Sequence, residues 1–340
     1  MRTSTKLTAL AGALALATTV AEASEIGHYA GGFLNIRDYL VPEPGFYASV
    51  YNYFYTTDRL NDGNGNQVNS VTVHPGGGPG VTRGVDVNVN MYVLAPTLIY
   101  VTDIKPLGIK YGAFVSPNFA NASLESALST VTGRGGTAES SSFGAGDMFV
   151  QPVWLGKTLE HWDFALAYGF YAPIGEYSTE TFTLPGGATV KAESVDNIGY
   201  GFWTHQIQGA TAWYPWADKR MAVATALTYE IHGEKDGFDL TPGQNLTFNW
   251  GISQFLPLKK DHTLLLEVGP AGYDSWQITD DSGTAAANPG VHDEVHAVGG
   301  QISLVYLPWH AALTGHGFYE FAATDRFQGQ SFGITLSKKF

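Results

Sequence analysis

"QGQSFGITLSKKF", residues 328–340, sets Phe332, Ile334 and Leu336 on one side of the chain and Ser331, Gly333, Thr335 and Ser337 on the other. A period of two over this length defines a β-strand whose faces meet different surroundings. The same texture returns upstream. In "QNLTFNWGIS" Leu246, Phe248, Trp250 and Ile252 oppose Asn245, Thr247, Asn249 and Ser253, and in "HWDFALAYGFYA" Trp162, Phe164, Leu166 and Tyr168 oppose Asp163, Ala165, Ala167 and Gly169. From Phe46 onward about twelve such segments follow one another, rich in aromatic and β-branched residues and punctuated by Gly and Pro.

The connections say which medium lies on the apolar side. Short turns, "KPLG", "GKTLEH", "PWADKR", "PLKKDH" and "PWHA", alternate with long polar loops at residues 59–83, 120–142, 175–197, 233–243 and 280–294. Short turns at one end and long loops at the other are the pattern of a bacterial transmembrane barrel with its short side in the periplasm. Aromatics near strand ends (Trp154, Tyr171, Trp203, Trp213, Trp216, Trp276, Tyr306, Trp309) suit the two headgroup boundaries. Hydrocarbon also demands closure, because an open sheet edge would leave unpaired backbone groups. The expected fold is all-β: an antiparallel up-and-down transmembrane β-barrel of about 12 strands, with short periplasmic turns and long extracellular loops.

The start of the chain fixes the address. Arg2 and Lys6 precede a short apolar core, and Ala21 and Ala23 form a small-x-small pattern before Ser24, so residues 1–23 read as a cleaved signal peptide. Residues 24–43 read as a periplasmic N-terminal arm able to enter the lumen, and residues 44–340 as the barrel in the Gram-negative outer membrane. The chain has no Cys, which excludes disulfides and thiolate metal sites, and its net charge of -13 argues against a nucleic-acid partner.

Motifs that mimic chemistry have plainer readings. "GQSFG", residues 329–333, fits the G-x-S-x-G nucleophile elbow, but that motif needs a following helix and a later acid and His, and only seven residues remain. Ser331 is therefore expected to face the lumen. His292, Asp293, Glu294 and His296 of "VHDEVH" match no zinc spacing and read as a solvated acidic loop. Neither a catalytic residue nor a metal or cofactor is expected. The charged residues expected to line the lumen are Asp147, Asp163, Glu230, Glu267, His316 and Glu320, where acids would favour cations or neutral solutes over anions.

Further stretches, "VPEPGFY", "GAGDMFVQPVWLG" with Gly146, Asp147 and Pro152, "YAPIGEY" with Pro173 and Gly175, "GPAGYDSWQITDDSG" and "FYEFAATDRFQGQSFGI", resemble the outer-membrane transporter family linked to the MetA-pathway (meta-cleavage) of phenol degradation. The resemblance spans nearly the whole mature chain and implies an exported barrel that passes small, often aromatic or hydrophobic compounds. It implies no catalytic residues. The expected function is an outer-membrane channel for passive uptake of such compounds. A closed structural or surface-binding barrel with acidic loops is the alternative, followed by an embedded lipid hydrolase. Expected partners are outer-membrane lipid and lipopolysaccharide, a small-molecule solute, and the barrel assembly machinery, for which the terminal aromatic Phe340 resembles the recognition signal.

Overall fold

The computed structural model describes residues 27–73, 81–104, 106–129, 136–183, 189–194, 197–286 and 288–340. The signal peptide lies outside these residues. The strands are β1 (Gly45–Thr57), β2 (Ser70–Val73), β3 (Val81–Val101), β4 (Ile109–Ser116), β5 (Phe119–Ser129), β6 (Gly136–Ala145), β7 (Met148–Thr158), β8 (Trp162–Ala172), β9 (Thr179–Thr183) and β10 (Thr189–Glu193). They continue as β11 (Thr204–Trp213), β12 (Met221–His232), β13 (Asn245–Pro257), β14 (Leu264–Gln277), β15 (Glu294–Tyr306), β16 (Ala311–Thr324) and β17 (Gln330–Lys339).

Every neighbouring pair is antiparallel, and β1 closes the ring by pairing β17 on one side and β3 on the other. β4 with β5, and β6 with β7, are single barrel strands interrupted in the middle, so the wall has twelve strands. Closure leaves no edge in the ring itself, as a hydrocarbon surrounding requires. Several of the long loops are themselves β-structure: β5 and β6 carry much of residues 120–142, and β9 pairs β10 as a separate hairpin.

The faces are inverted relative to a soluble barrel. On β17 Phe332, Ile334 and Leu336 are 52%, 51% and 55% exposed on the outside, whereas Ser331 and Thr335 are 0% and 1% exposed inside. Large apolar side chains on the outer surface are stable only in lipid, which places the chain in the outer membrane. Trp203, Trp213, Trp216 and Trp309 are exposed near the strand ends, as girdle residues should be. Trp154 and Tyr171 depart from that expectation. Trp154 is buried and pairs opposite Ala167 on the inner face, and the Tyr171 ring stacks on His28 inside the barrel. Strand-end position alone does not tell an inward ring from an outward one.

Proline chemistry explains the interruption of the wall. Leu98 pairs Val115 and Leu94 pairs Phe119 in one continuous register, which puts Pro96 directly opposite Pro117. Neither proline has an N–H, so the ladder has no donors at this level. On the other side Ser116 pairs Phe149 and Phe119 pairs Ala145, leaving Gly146, Asp147 and Met148 to face only Pro117 and Asn118. That is a bulge with one extra residue, and it turns the Asp147 side chain inward. Gly146 N–H donates to the Asn118 carbonyl (2.8 Å) and the Asn118 amide to the Asp147 carbonyl (2.7 Å), so the backbone groups freed by the bulge are paired again. Pro152 sits in a second irregularity of β7, between Val150 and Val153, where its carbonyl accepts the Tyr111 hydroxyl at 2.6 Å.

Candidate functional site

The inner face is occupied by the segment before β1. Residues 27–44 run through the lumen and are fixed by polar side chains of the wall. Glu230 accepts the Tyr29 N–H (3.0 Å), Asn249 the Gly32 N–H (3.0 Å) and Gln301 the Ile36 N–H (2.8 Å). Arg37 reaches the periplasmic end, where its Nε lies 2.6 Å from Glu267 and 3.0 Å from Ser253, its Nη1 donates to the Lys219 carbonyl, and its guanidinium stacks 4.3 Å over Phe255. Glu43 then pairs with Lys110 at 2.7 Å. A strand-lined tube would leave these carboxylates and amides unpaired, so the arm supplies the hydrogen bonds that make a polar lumen stable.

Between the arm and the wall lies a cavity of about 530 Å³. Its lining is mainly aromatic and aliphatic, with Tyr29 and Phe33 from the arm and Tyr53, Phe149, Trp154 and Tyr171 from the wall. Asp38 is the carboxyl of the arm that faces it, held by the Tyr51 hydroxyl (2.9 Å) and the Asn35 amide (2.6 Å). Desolvation inside the barrel pushes the Asp38 carboxyl up to about 6, against those donors. The cavity extends to the bulged wall at Asn118, Gly146 and Asp147 and to the Ile198–Tyr200 segment.

Asp147 joins three parts of the chain. Its Oδ1 accepts the Gly175 N–H (3.0 Å), and its Oδ2 accepts the Tyr200 N–H (2.8 Å) and His28 Nε2 (2.9 Å). A Cβ on Gly175 would lie 2.8 Å from backbone atoms of both Gly146 and Gly199, so glycine is required where these three backbones meet around one carboxylate. The other His28 nitrogen lies 2.7 Å from Thr204 Oγ1. Burial holds His28 below its ordinary value despite the neighbouring carboxylate, so the ring is neutral, with Nε2–H donating to Asp147 and Nδ1 accepting the hydroxyl.

The sequence-expected lumen residues all lie on the inner face, but they form no ring and have separate partners. Only Asp147 of the six borders the large cavity. Asp163 binds Lys219 (2.8 Å) and the Tyr214 hydroxyl (2.6 Å) near the periplasmic end. Glu230 and Glu267 hold the arm, His316 faces Asn35 of the arm (3.1 Å), and Glu320 accepts the Tyr55 and Tyr273 hydroxyls at 2.7 Å each. The "VHDEVH" residues do not form one cluster. His292 turns to Asp280 and Asp293 turns inward to Arg326, while Glu294 and His296 bond each other (2.9 Å) on the outer face, with Trp276 donating to Glu294 and Asp274 beside His296. Ser331 is an enclosed side chain at the start of β17. The arm residues His28, Arg37 and Asp38 were not singled out from the sequence, although a short segment with a His, an Arg, an Asp and three aromatics between residues 27 and 44 is dense for a solvated leader.

Comparison with solved structures finds barrels of the outer membrane. The COG4313 outer membrane channel from Pseudomonas putida F1 superimposes with a TM-score of 0.56 at 14% identity, over 90% of this chain and 100% of that one. The β domain of the Bordetella autotransporter BrkA gives 0.46 at 10% identity, over 87% and 99%. The Pseudomonas putida toluene transporter TodX gives 0.43 at 11% identity, over 95% and 97%. No curated protein matches the chain. The family model described as "Putative MetA-pathway of phenol degradation" matches residues 57–336, and the chain therefore belongs to that family.

Proposed function

We propose that the protein is a passive outer-membrane channel for small hydrophobic compounds, aromatic ones included, and not an enzyme. The observation that carries this reading is the cavity of about 530 Å³, walled mainly by aromatic and aliphatic side chains and ending at the interrupted wall. That size suits a compound of one or two rings. The arm acts as a plug. Its lower half, with Arg37 locked between Glu267, Ser253 and the Lys219 carbonyl, obstructs the axial route to the periplasm.

The exit we propose is sideways. Among the described residues β6 pairs with β5 alone, and beyond Ala172, where β8 ends, the backbone bond from Glu176 N–H to the Ala145 carbonyl (2.8 Å) ties the wall together. A solute entering between the long loops would rest against the aromatic lining and leave between β6 and the 173–178 segment into lipid. An apolar solute gains free energy at each step of that path, whereas an axial route would carry it past charged arm contacts.

A reducible cross-link tests the path, and the Cys-free chain makes it specific. Cysteines at Ala145 and Glu176, oxidised in liposomes, should abolish uptake of a small aromatic, and reduction should restore it. Unchanged uptake in the oxidised protein would refute the lateral exit. Uptake by the unmodified protein no faster than by empty vesicles across a varied solute panel would refute the channel itself.

A further inference from the structure

We infer that the periplasmic rim between β13 and β17 carries a binding site for the headgroup of an anionic phospholipid. The inference stands apart from the channel reading, since it concerns the outer surface at the opposite end of the barrel from the cavity's opening.

The site is built around the turn Leu307–His310. Trp309, 68% exposed, packs edge-on against Tyr306 at 5.3 Å, and Tyr306 continues the outward series of Ile302 and Leu304. These rings mark the level of the lipid headgroups. A cation stands beside each flank of the turn. Lys259, from the β13–β14 turn, places its ammonium 5.9 Å from the Tyr306 ring. Lys338, which follows Phe332, Ile334 and Leu336 on the outer face of β17, places its ammonium 5.5 Å from the Phe340 ring. Lys338 pairs with Ala311, directly after the turn, and the next residue's N–H donates to the His310 carbonyl at 2.9 Å. Three strand spacings separate β14 from β17, roughly 14 Å, a gap that two extended lysine stems and one headgroup can span.

The charge balance selects the ligand. Three ammonium groups in this sector, Lys259, Lys260 and Lys338, stand against two carboxylates, the α-carboxylate of Phe340 and Asp261, which accepts the N–H and hydroxyl of Thr263 at 3.2 and 2.8 Å and lies near Lys259. The next cation along the rim, Arg220, is paired with Asp218 at 3.0 Å and stacks 5.0 Å over Trp216, so it adds an anchor without adding net charge. Ammonium groups in excess of carboxylates just above an aromatic belt lie at the depth of lipid phosphates. In the periplasmic leaflet that chemistry belongs to a phospholipid with a net negative headgroup. A zwitterionic lipid presents its own ammonium to the same lysines and gains less.

Spin-labelled phosphatidylglycerol and phosphatidylcholine, added to vesicles holding the intact protein, would measure the preference by electron paramagnetic resonance. Each lysine near such a surface contributes up to about fivefold, so the expected preference for phosphatidylglycerol is several-fold, weakening with salt. Replacing Lys259, Lys260 and Lys338 by Gln should bring it close to parity, while the triple Arg variant retains it and separates charge from any loss of folding. Lys191→Gln on β10, at the far end, should leave it unchanged. Equal association of both lipids with the unmodified protein, or an undiminished preference in the Gln variant, would overturn the site.

Discussion

Asp147 shows how one side chain can hold a wall, a loop and a plug together. Its carboxylate is buried, yet it receives two backbone N–H groups and a neutral imidazole, which is what keeps an anion stable away from water. Asp38 is its counterpart across the cavity, with a different balance. Its folded-state value of about 6 lies above the ordinary carboxylate value of 3.8, so the protonated form is the one the folded arm favours. The stability it contributes is complete below about pH 4 and is lost as pH rises through 6, at most ~3 kcal/mol and less because the side chain keeps contact with the cavity. Arm docking, followed by hydrogen exchange at Asn35–Leu40, should therefore loosen between pH 4 and 7, and Asp38→Asn should remove that component. His28 works in the other direction: its neutral form is favoured, so protonation below its ordinary value of 6.5 weakens docking at the acid end.

At the scale of elements, the arm is the part with the clearest mechanical role. Arg37→Ala leaves Glu267, among the described residues, with the Gln301 amide at 3.2 Å as its hydrogen-bond partner, and breaking an enclosed ion pair of this kind costs about 3 kcal/mol. The expected result is an arm that detaches at its periplasmic end and a higher single-channel conductance for small ions, read in planar bilayers. Conductance equal to that of the unmodified protein would show that the arm does not obstruct the axis.

Strand number, closure and the inverted faces were legible in the sequence because period-two alternation and alternating turn lengths are local signals. Phe332 against Ser331 is enough to read one strand. The cavity was not legible, because it depends on which residues meet across the lumen: Trp154 faces Ala167 and His28 lies under Tyr171 for reasons of register that no single segment contains. The wall interruption was half legible. Pro96 and Pro117 are visible as strand breakers, but their juxtaposition follows only from the pairing of β3 with β4 and β5.

For the whole molecule, closure depends on the seam between the first and last strands. β1 and β17 pair from Tyr47 with Lys339 to Thr56 with Gln330, and the Phe340 N–H extends the ladder to the Phe46 carbonyl at 2.9 Å while its ring packs 5.9 Å from that of Phe46. Phe340 is 69% exposed, so its removal costs the closed barrel little packing. Deleting it should nonetheless lower the amount of heat-modifiable barrel in the outer membrane, as expected for a residue read during assembly. Normal levels would leave Phe340 as a girdle residue only.

The opposed prolines also act as a depth gauge. Beyond the bulge, β6 presents an outer edge that no described strand covers, and such an edge is costly in hydrocarbon. β7 and β8 below it have 11 residues each, about the length that crosses the hydrocarbon core at a barrel's tilt. The level of Gly146 and Asp147 therefore coincides with the outer boundary of the oily layer. The protein's vertical seat in the bilayer is set there by two residues that lack a hydrogen to donate, and a solute taking the proposed sideways path would emerge at the headgroup boundary of the outer leaflet instead of the bilayer midplane.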